Sequence, residues 1–309
     1  MRIAVLGAAA GGGFPQWNCN CRNCAGFRNG TIRATRRTQS SIAISPDPLN
    51  WVLVNASPDI LTQLAATPVL QPARKIRDTA IRAIVLVDGQ VDHSVGLFML
   101  REGRPLEVYC TESVHDDLTG ANPIFRVLGS YCGVNWRPVP TRSGSCFEIP
   151  EVSGLRFSAI PVASKPSPYS PRRNAPARDD NIGLLIEEPR SGQTVWYAPA
   201  LARVDERVAE CMKRATCILV DGTFWSDDEM IRLGVGSKRA SEMGHLAQSE
   251  PDGMLAALRK LPNARRILIH INNTNPILDE DSPERRQLDQ EGIEVAYDGM
   301  EILPPVPTR

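Results

Sequence analysis

The stretch Asp88-Gly-Gln-Val-Asp-His93 brings two carboxylates and one imidazole together where an apolar run ends and a helical pattern begins. The side chains concerned are Asp88, Asp92 and His93. Loops at the carboxyl ends of strands converge on a cleft, so these side chains can share one ligand. Carboxylate and imidazole groups are common metal ligands, and the stretch therefore indicates a metal site. The alternative is that Asp92 only caps the helix that begins near His93.

The chain contains four histidines, and three of them occupy similar positions. His270 ends the apolar segment RRILIH, and His245 lies just before a predicted helix, in SEMGHLAQ. His115 falls on a predicted surface helix, and we interpret it as structural or solvated. A lone histidine at a strand end is more often a hydrogen-bonded core residue than a ligand. His93, His245 and His270 together, with Asp92 next to His93, favour a metal site instead.

A second cluster consists of Cys19, Cys21 and Cys24, in the pattern Cys-x-Cys-x-x-Cys. Three thiolates and one further ligand complete the tetrahedral coordination that structural Zn²⁺ prefers. The alternative is three unpaired cysteines in a loop, although clustered thiols are prone to oxidation. The other five cysteines are scattered along the chain, which does not resemble a secreted disulfide framework. The cluster is therefore predicted to be a zinc clip with a structural role.

Composition excludes some classes of function. The 309 residues are 42% hydrophobic, enough for a sizeable core in one large domain or two. Lys+Arg and Asp+Glu both number 35, so there is no basic excess of the kind that nucleic-acid binding requires. No run approaches the ~18–20 apolar residues of a membrane span. The short N-terminal apolar run passes into glycines rather than a cleavage site, which favours a first strand and a cytoplasmic protein.

Apolar runs and helical patterns alternate in a way that predicts two sheets covered by helices. Ser57 is the expected N-cap of the first predicted helix, with Pro58 at its first position. A Pro/Ser/Arg-rich segment, 163–181, is the one long loop, and such loops tend to be lids or binding loops. Strands are predicted at 2–7, 41–44, 51–54, 80–87, 106–109, 155–162, 181–187, 194–197, 217–220, 266–271 and 293–296, and helices at 58–66, 94–101, 112–118, 123–128, 205–214, 250–261 and 283–291.

A set of motifs carries a resemblance that runs from the first strand nearly to the last. Together they resemble the pyrroloquinoline quinone (PQQ) biosynthesis protein B family of the metallo-β-lactamase superfamily. The resemblance implies one α/β domain over 1–309, an αββα sandwich of two mixed sheets flanked by helices, with a metal cleft along one edge. The motifs are LGAAAGGGFPQWNCNCRNC, RRTQSSIAIS, LVNASPDI, DGQVDHSVGLFMLREG, NIGLLI, WYAPAL, LVDGTFW, MGH and IHINNTNPIL.

The metal ligands of the superfamily are only partly present. Its motif His-x-His-x-Asp-His corresponds to Asp88, Gln90, Asp92 and His93, so the first two histidines are missing. The histidine expected after strand 155–162 is absent as well. The bridging carboxylate is also absent, because the segment YAPALA at its position contains no acidic residue. A dinuclear hydrolase site needs about six or seven ligands around two metals, and this chain lacks them in the usual places.

The ligands that remain are Asp92, His93 and His270, the last of which matches the final histidine of the superfamily. Two histidines and one carboxylate form the facial triad of mononuclear non-haem Fe²⁺ oxygenases, which leaves coordination positions open for O₂ and substrate. The expected active-site metal is therefore Fe²⁺, with Mn²⁺ or Zn²⁺ as substitutes in vitro. Asp88 and Gln90 are expected close by, supporting the ligands or touching the substrate.

Further roles follow from other branches of the superfamily. His245 corresponds to a histidine that serves substrate or proton transfer in tRNA 3′-processing enzymes, so it is predicted to be an acid/base group or substrate contact; helix capping is the alternative. Asp221 is expected to support the ligands. In phosphodiesterases with the same cysteine pattern, the fourth zinc ligand lies three residues after the last active-site histidine. That position holds Asn273 here, with Asn272 or solvent as alternatives.

The resemblance implies a cytoplasmic enzyme of PQQ biosynthesis. The ligand set suits Fe²⁺/O₂-dependent hydroxylation of the tyrosine ring in a Glu-Tyr-derived precursor, with other pathway proteins as candidate partners. Two alternatives remain open: a carrier for transport of PQQ or its precursor towards the periplasm, and a mononuclear metallo-hydrolase. The missing bridging aspartate and histidines argue against hydrolysis, but they do not separate the oxygenase from the carrier.

Overall fold

Two seven-stranded sheets stack face to face in the computed structural model, which describes residues 1–307. The first sheet has the order β14-β1-β2-β3-β4-β5-β6, antiparallel from β14 to β3 and parallel from β3 to β6. Its strands are β1 Arg2–Gly7, β2 Ser41–Ser45, β3 Trp51–Val54, β4 Ile81–Val85, β5 Leu106–Cys110, β6 Val134–Pro138 and β14 Glu301–Ile302.

The second sheet has the order β13-β12-β11-β10-β9-β8-β7, antiparallel from β7 to β10 and parallel from β10 to β13. The predicted αββα sandwich of two mixed sheets is therefore confirmed. The strands are β7 Phe147–Glu148, β8 Arg156–Pro161, β9 Ile182–Glu188, β10 Gln193–Ala198, β11 Cys217–Asp221, β12 Arg265–Ile269 and β13 Ile293–Val295.

Helices cover the outer faces of both sheets. The α-helices are α1 Arg22–Asn29, α2 Ile60–Ala66, α3 Val91–Ser94, α4 Glu112–Thr119, α5 Ile124–Leu128, α6 Glu206–Arg214, α7 Glu229–Arg232, α8 Ala240–Met243, α9 Met254–Arg259 and α10 Pro283–Gln290. Short 3₁₀ helices occupy Pro68–Leu70, Val95–Leu100, Pro150–Val152 and Pro276–Leu278. Among residues 1–307, no helix has the length and apolar character of a membrane span.

The core follows from the two-residue period of the strands. In β2, Ile42 and Ile44 point between the sheets, whereas Ala43 packs under the outer helices. In β11, Leu219 faces the inter-sheet core and Val220 faces the helices. Because both faces of these strands are covered, their sequences are continuous apolar runs. Each fully buried aliphatic side chain contributes about 1.5–3 kcal/mol to the free energy of folding through the area it removes from water.

Several predicted elements differ at their ends. Ser57 does not cap α2: the N-cap position is Asp59, and the Ser57 hydroxyl instead accepts from the Asp59 backbone N–H. The helix predicted at 94–101 is a short α-helix followed by a 3₁₀ segment. Gly96 lies there so close to the Ser57 carbonyl that a Cβ atom would be 2.1 Å from its oxygen. Strands β6, β7 and β14 were not predicted because they are short or mostly exposed edge strands.

Candidate metal centres

Strand ends from both sheets supply the candidate active site. Asp88 follows β4 of the first sheet, and the single turn of α3 then carries Asp92 and His93. From the second sheet, Asp221 ends β11 and His270 follows β12, its parallel neighbour. The edge on which these strand ends meet is the edge that the sequence predicts for a metal cleft.

Asp92, His93 and His270 form the first cluster. One ligand atom from each residue lies within 4.8 Å of the other two. Asp92 Oδ2 is 3.3 Å from His270 Nε2 and 4.0 Å from His93 Nε2. Ligands at about 2.0–2.3 Å from one metal ion lie at such separations from each other, so the three atoms can bind a single cation.

His93 is oriented by Asp88. Its Nδ1 lies 2.9 Å from both carboxylate oxygens, so the ring donates Nδ1–H to Asp88. Its buried Nε2 has no hydrogen-bond partner among residues 1–307. Burial alone would lower the pKa of His93, but Asp88 and Asp92 raise that pKa to about 9. An orphaned buried nitrogen facing a carboxylate is the arrangement expected of a metal ligand in metal-free protein.

His270 is oriented by Thr223, a residue that the sequence analysis did not select. The Thr223 Oγ1 lies 2.9 Å from His270 Nδ1 and 2.9 Å from the His270 carbonyl oxygen. A carbonyl can only accept, so the hydroxyl proton goes to that oxygen and Nδ1–H donates to Oγ1. The lone pair of Nε2 then faces Asp92 Oδ2. In this tautomer Nε2 and Oδ2 both offer lone pairs 3.3 Å apart, as two ligands of one metal ion would.

Asp92 is suited to bind that cation as a carboxylate. Burial alone would raise its pKa, but the neighbouring charges of His93 and His270 hold the pKa well below its ordinary value. The backbone of Gly11 borders the same carboxylate: a Cβ atom on Gly11 would lie 3.4 Å from Asp92 Oδ2. Thus the N-terminal glycine segment forms one side of the site.

His245 and Asp221 form a second pair beside the cluster. His245 Nδ1 lies 2.8 Å from Asp221 Oδ2, and its ring stacks on His270 with the centroids 5.4 Å apart. Burial alone would lower the pKa of His245, but Asp221 raises it. The ring does not cap a helix, since the next one, α9, begins only at Met254 and has Gly253 at its N-cap. One ligand atom each from Asp221, His245 and His270 also lies within 4.8 Å of the other two.

Gln90 and the segment 163–181 form the adjoining wall. Gln90 donates its side-chain N–H to the Lys165 carbonyl at 3.2 Å, and Tyr169 donates its hydroxyl to the Gly89 carbonyl. Arg172 fixes the segment through Asp117, at 2.9 Å, and through Asp180, at 2.7 Å. These contacts hold the long loop against the site as a packed wall.

The three thiols converge on Asn273. The amide nitrogen of Asn273 lies 3.1 Å from Cys19 Sγ, 3.6 Å from Cys21 Sγ and 3.3 Å from Cys24 Sγ. The nitrogen and oxygen of such an amide are assigned from hydrogen bonds, and a flip would turn the oxygen towards the sulfurs. Asn272, the alternative ligand, contacts Met230 and Thr274 instead. Burial raises the pKa of Cys21 to about 12, which disfavours the free thiolate, so a thiolate at this position would need a neighbouring cation to stabilise it.

Comparisons with known proteins address the whole chain. The beta-lactamase superfamily domain matches residues 50–271. Coenzyme PQQ synthesis protein B of Azotobacter vinelandii is 59% identical over 98% of this chain and 99% of its own length. The corresponding protein of Azoarcus sp. is 58% identical, over 97% and 99%. The chain belongs to the coenzyme PQQ synthesis protein B family.

A solved structure of that family extends the match to three dimensions. Zinc-bound PqqB from Methylobacterium extorquens superposes with a TM-score of 0.89 and 37% identity, over 98% of this chain and 100% of the other. The metallo-β-lactamase fold and the family resemblance are therefore confirmed.

Two residues of the candidate active site were not identified from the sequence. Thr223 follows β11 in the segment Asp-Gly-Thr, a polar strand end of the kind that drew attention to His93. Gly11 lies in the AAAGGG segment, whose only signal is small size. Neither residue type is a typical metal ligand, and only the tertiary contacts reveal their position.

Proposed function

We propose that this protein catalyses an Fe²⁺/O₂-dependent step of PQQ synthesis, on the tyrosine ring of a Glu-Tyr-derived precursor. The observation that carries the proposal is the convergence of Asp92 Oδ2, His93 Nε2 and His270 Nε2. The His93 Nε2 atom has no hydrogen-bond partner among residues 1–307, and Thr223 contacts His270 at Nδ1, which leaves Nε2 facing Asp92. Two histidines and one carboxylate suit Fe²⁺ and leave other coordination positions open. We propose a cytoplasmic location, with other pathway proteins supplying the precursor.

The residues around the triad have separate tasks in this proposal. Bound Fe²⁺ would supply redox chemistry towards O₂; Mn²⁺ or Zn²⁺ would occupy the same ligands without the same reactivity. Asp88 keeps the proton on His93 Nδ1. Asp221 does the same for His245, which leaves His245 Nε2 to accept or deliver a proton at the substrate. Gln90 and Lys165 belong to the wall that the substrate would touch.

The proposed reaction balances without an additional reductant. One O₂ converts the phenol to an ortho-quinone and one water: one oxygen atom forms a bond to the ring carbon beside the hydroxyl, and the other leaves as water. The ring loses four electrons, which reduce O₂ completely. Stopping at the catechol would instead require two electrons from an external donor.

A dinuclear hydrolase is not supported by the ligand set. Such a site needs about six or seven ligands, whereas Gln90 occupies one histidine position of the superfamily motif and Pro199-Ala200 occupies the place of the bridging carboxylate. We therefore assign one metal to the active site.

The second metal in the proposal is a structural Zn²⁺ held by Cys19, Cys21, Cys24 and Asn273. The zinc-bound state of the relative from Methylobacterium extorquens supports zinc as a metal of this family. Three thiolates select zinc over Fe²⁺, so the two centres would differ in metal.

The test is anaerobic reconstitution with Fe²⁺ followed by addition of O₂ and a Glu-Tyr-derived substrate. We expect one Fe²⁺ per chain in addition to the zinc, and O₂ consumption that depends on the substrate. His93→Ala should lose both, while His115→Gln should retain both, because His115 lies outside the site and stacks on Trp136 at 3.8 Å. Tight substrate binding without turnover would favour the carrier, and two metals sharing Asp92 would restore the hydrolase.

A further inference from the structure

One hydroxyl lies at the junction of the two histidines behind the active site. Thr223 is 2% exposed, and its Oγ1 contacts His270 Nδ1 at 2.9 Å, the His270 carbonyl at 2.9 Å and His245 Nδ1 at 3.1 Å. Its backbone is fixed as well. The neighbouring Gly222 N–H donates to the Ile269 carbonyl at 2.7 Å, and Asn272 N–H donates to the Thr223 carbonyl at 3.1 Å. The hydroxyl therefore has little freedom of position.

His270 needs such a partner because its backbone is strained. Its φ is +62°, a left-handed conformation that a non-glycine residue rarely adopts. The strain is maintained only when surrounding contacts determine the conformation. Thr223 bonds both the carbonyl and the ring of this one residue, so it fixes the backbone and the side chain together.

The Thr223 hydroxyl has one proton, and this fixes which of its hydrogen bonds it donates and which it accepts. Its single proton goes to the His270 carbonyl, which can only accept, and Oγ1 must then accept from the His270 Nδ1–H. His245 Nδ1–H already donates to Asp221 at 2.8 Å, a shorter contact than that to Thr223. Hence the hydroxyl acts mainly on His270.

We infer that Thr223 is the positioning residue of the metal site: it holds His270 as the Nδ1–H tautomer and aims the Nε2 lone pair at the position shared with Asp92 and His93. This inference rests on the metal centre of the proposed function. It adds a residue that binds neither metal nor substrate and that acts only through His270. Partners of this kind typically change metal affinity by about 10–100-fold.

The experiment measures Co²⁺ binding to protein whose cysteine clip is already filled with zinc. Thr223→Val keeps the side-chain shape but removes the hydroxyl, and it should weaken Co²⁺ binding by about 10–100-fold and alter the visible Co²⁺ spectrum. Thr223→Ser should restore both. Thr216→Val is the matched control, since Thr216 precedes the other end of β11 and bonds the Thr194 carbonyl at 3.0 Å. It should match wild type in affinity and spectrum.

Each result separates the two proposals. If wild-type protein binds no Co²⁺ outside the clip, the metal centre and this inference fail together. If wild type binds Co²⁺ and Thr223→Val gives the same affinity and spectrum, the positioning role alone is wrong. Should Thr223→Val not fold, Thr223→Ala, which removes the same hydroxyl with less bulk at the site, provides the comparison.

Discussion

The carboxylate of Asp88 is centred on His93 Nδ1, with both of its oxygens 2.9 Å away. The position of Asp88 corresponds to the first histidine of the superfamily motif, and in this chain its carboxylate orients the proposed ligand His93. In the proposed site Asp88 therefore acts as a hydrogen-bond acceptor for a ligand and does not itself bind the metal.

Asp88→Asn should therefore weaken binding of the active-site metal by about 10–100-fold while the zinc clip stays filled. An amide is a weaker acceptor than a carboxylate for the His93 Nδ1–H, so the ring is less firmly held as a ligand. Competition with a chelator of known affinity measures the effect. Metal affinity equal to that of wild type would show that Asp88 does not support metal binding by His93.

Cys24→Ser should destabilise the protein strongly. Cys24 is buried among the three thiols, and the binding energy of a structural zinc is also folding energy. We expect a fall of roughly 10 °C or more in Tm, together with loss of about one zinc per chain. Cys146→Ser is the control, because Cys146 is exposed and should change neither quantity. Loss of zinc with unchanged melting would contradict the structural role and would point to a redox role for the thiols.

His245→Ala should lower turnover by about 10²–10⁴-fold while metal and substrate still bind. The ring stacks on His270 without belonging to the Asp92, His93 and His270 cluster, so its loss removes a proton-transfer group rather than a ligand of that cluster. Rapid-mixing kinetics under O₂ and metal analysis of the same samples measure the two effects. A parallel fall in metal content would make His245 a fourth ligand.

Glu229 should make the stability of the protein depend on pH. Burial raises its pKa to about 7 from an ordinary 4.5, although Thr274 and the Trp225 N–H donate to its oxygens. The folded state thus holds the proton more tightly than the unfolded state. The stabilisation is complete below about pH 4.5 and is lost as the pH rises through 7. The free energy of unfolding should fall by about 2.5 kcal/mol between pH 5 and pH 8 from this group.

Glu229→Gln, which resembles the protonated carboxyl, should remove most of that fall in denaturant titrations at a series of pH values. Glu210→Gln on the exposed face of α6 should keep the wild-type dependence. Identical pH profiles for wild type and Glu229→Gln would show that the buried carboxyl is not protonated in this range.

The central strands and the grouping of the candidate ligands could be predicted from the sequence because each depends on a local pattern. Val52 and Leu53 belong to an uninterrupted apolar run that only a strand covered on both faces can bury. His93 and His270 follow such runs, and strand ends of neighbouring sheets meet at one edge. The arrangement of the ligands therefore follows from the pattern of the strands.

The remaining features depend on contacts between distant segments. The helix predicted after His93 gives way to a 3₁₀ segment because Gly96 packs directly on the backbone of Ser57. Thr223 gains its role only when β11 and β12 lie side by side. Strand β6 has only half-buried or exposed residues, so its sequence carries no alternation strong enough to reveal it.

His270 and Asn273 stand three residues apart on the segment that follows β12, and the Asn23 side chain ties this segment to α1 through the carbonyls of Asn273 and Asn275, at 3.1 and 2.8 Å. In a cell starved of zinc, the segment would lose its anchor at the thiols. Under the proposed assignment, the segment that carries His270 would then depend on its remaining contacts, those of Thr223 and Asn23. The two proposed metal centres are thus coupled through three residues of backbone, and the occupancy of one would bear on the order of the other.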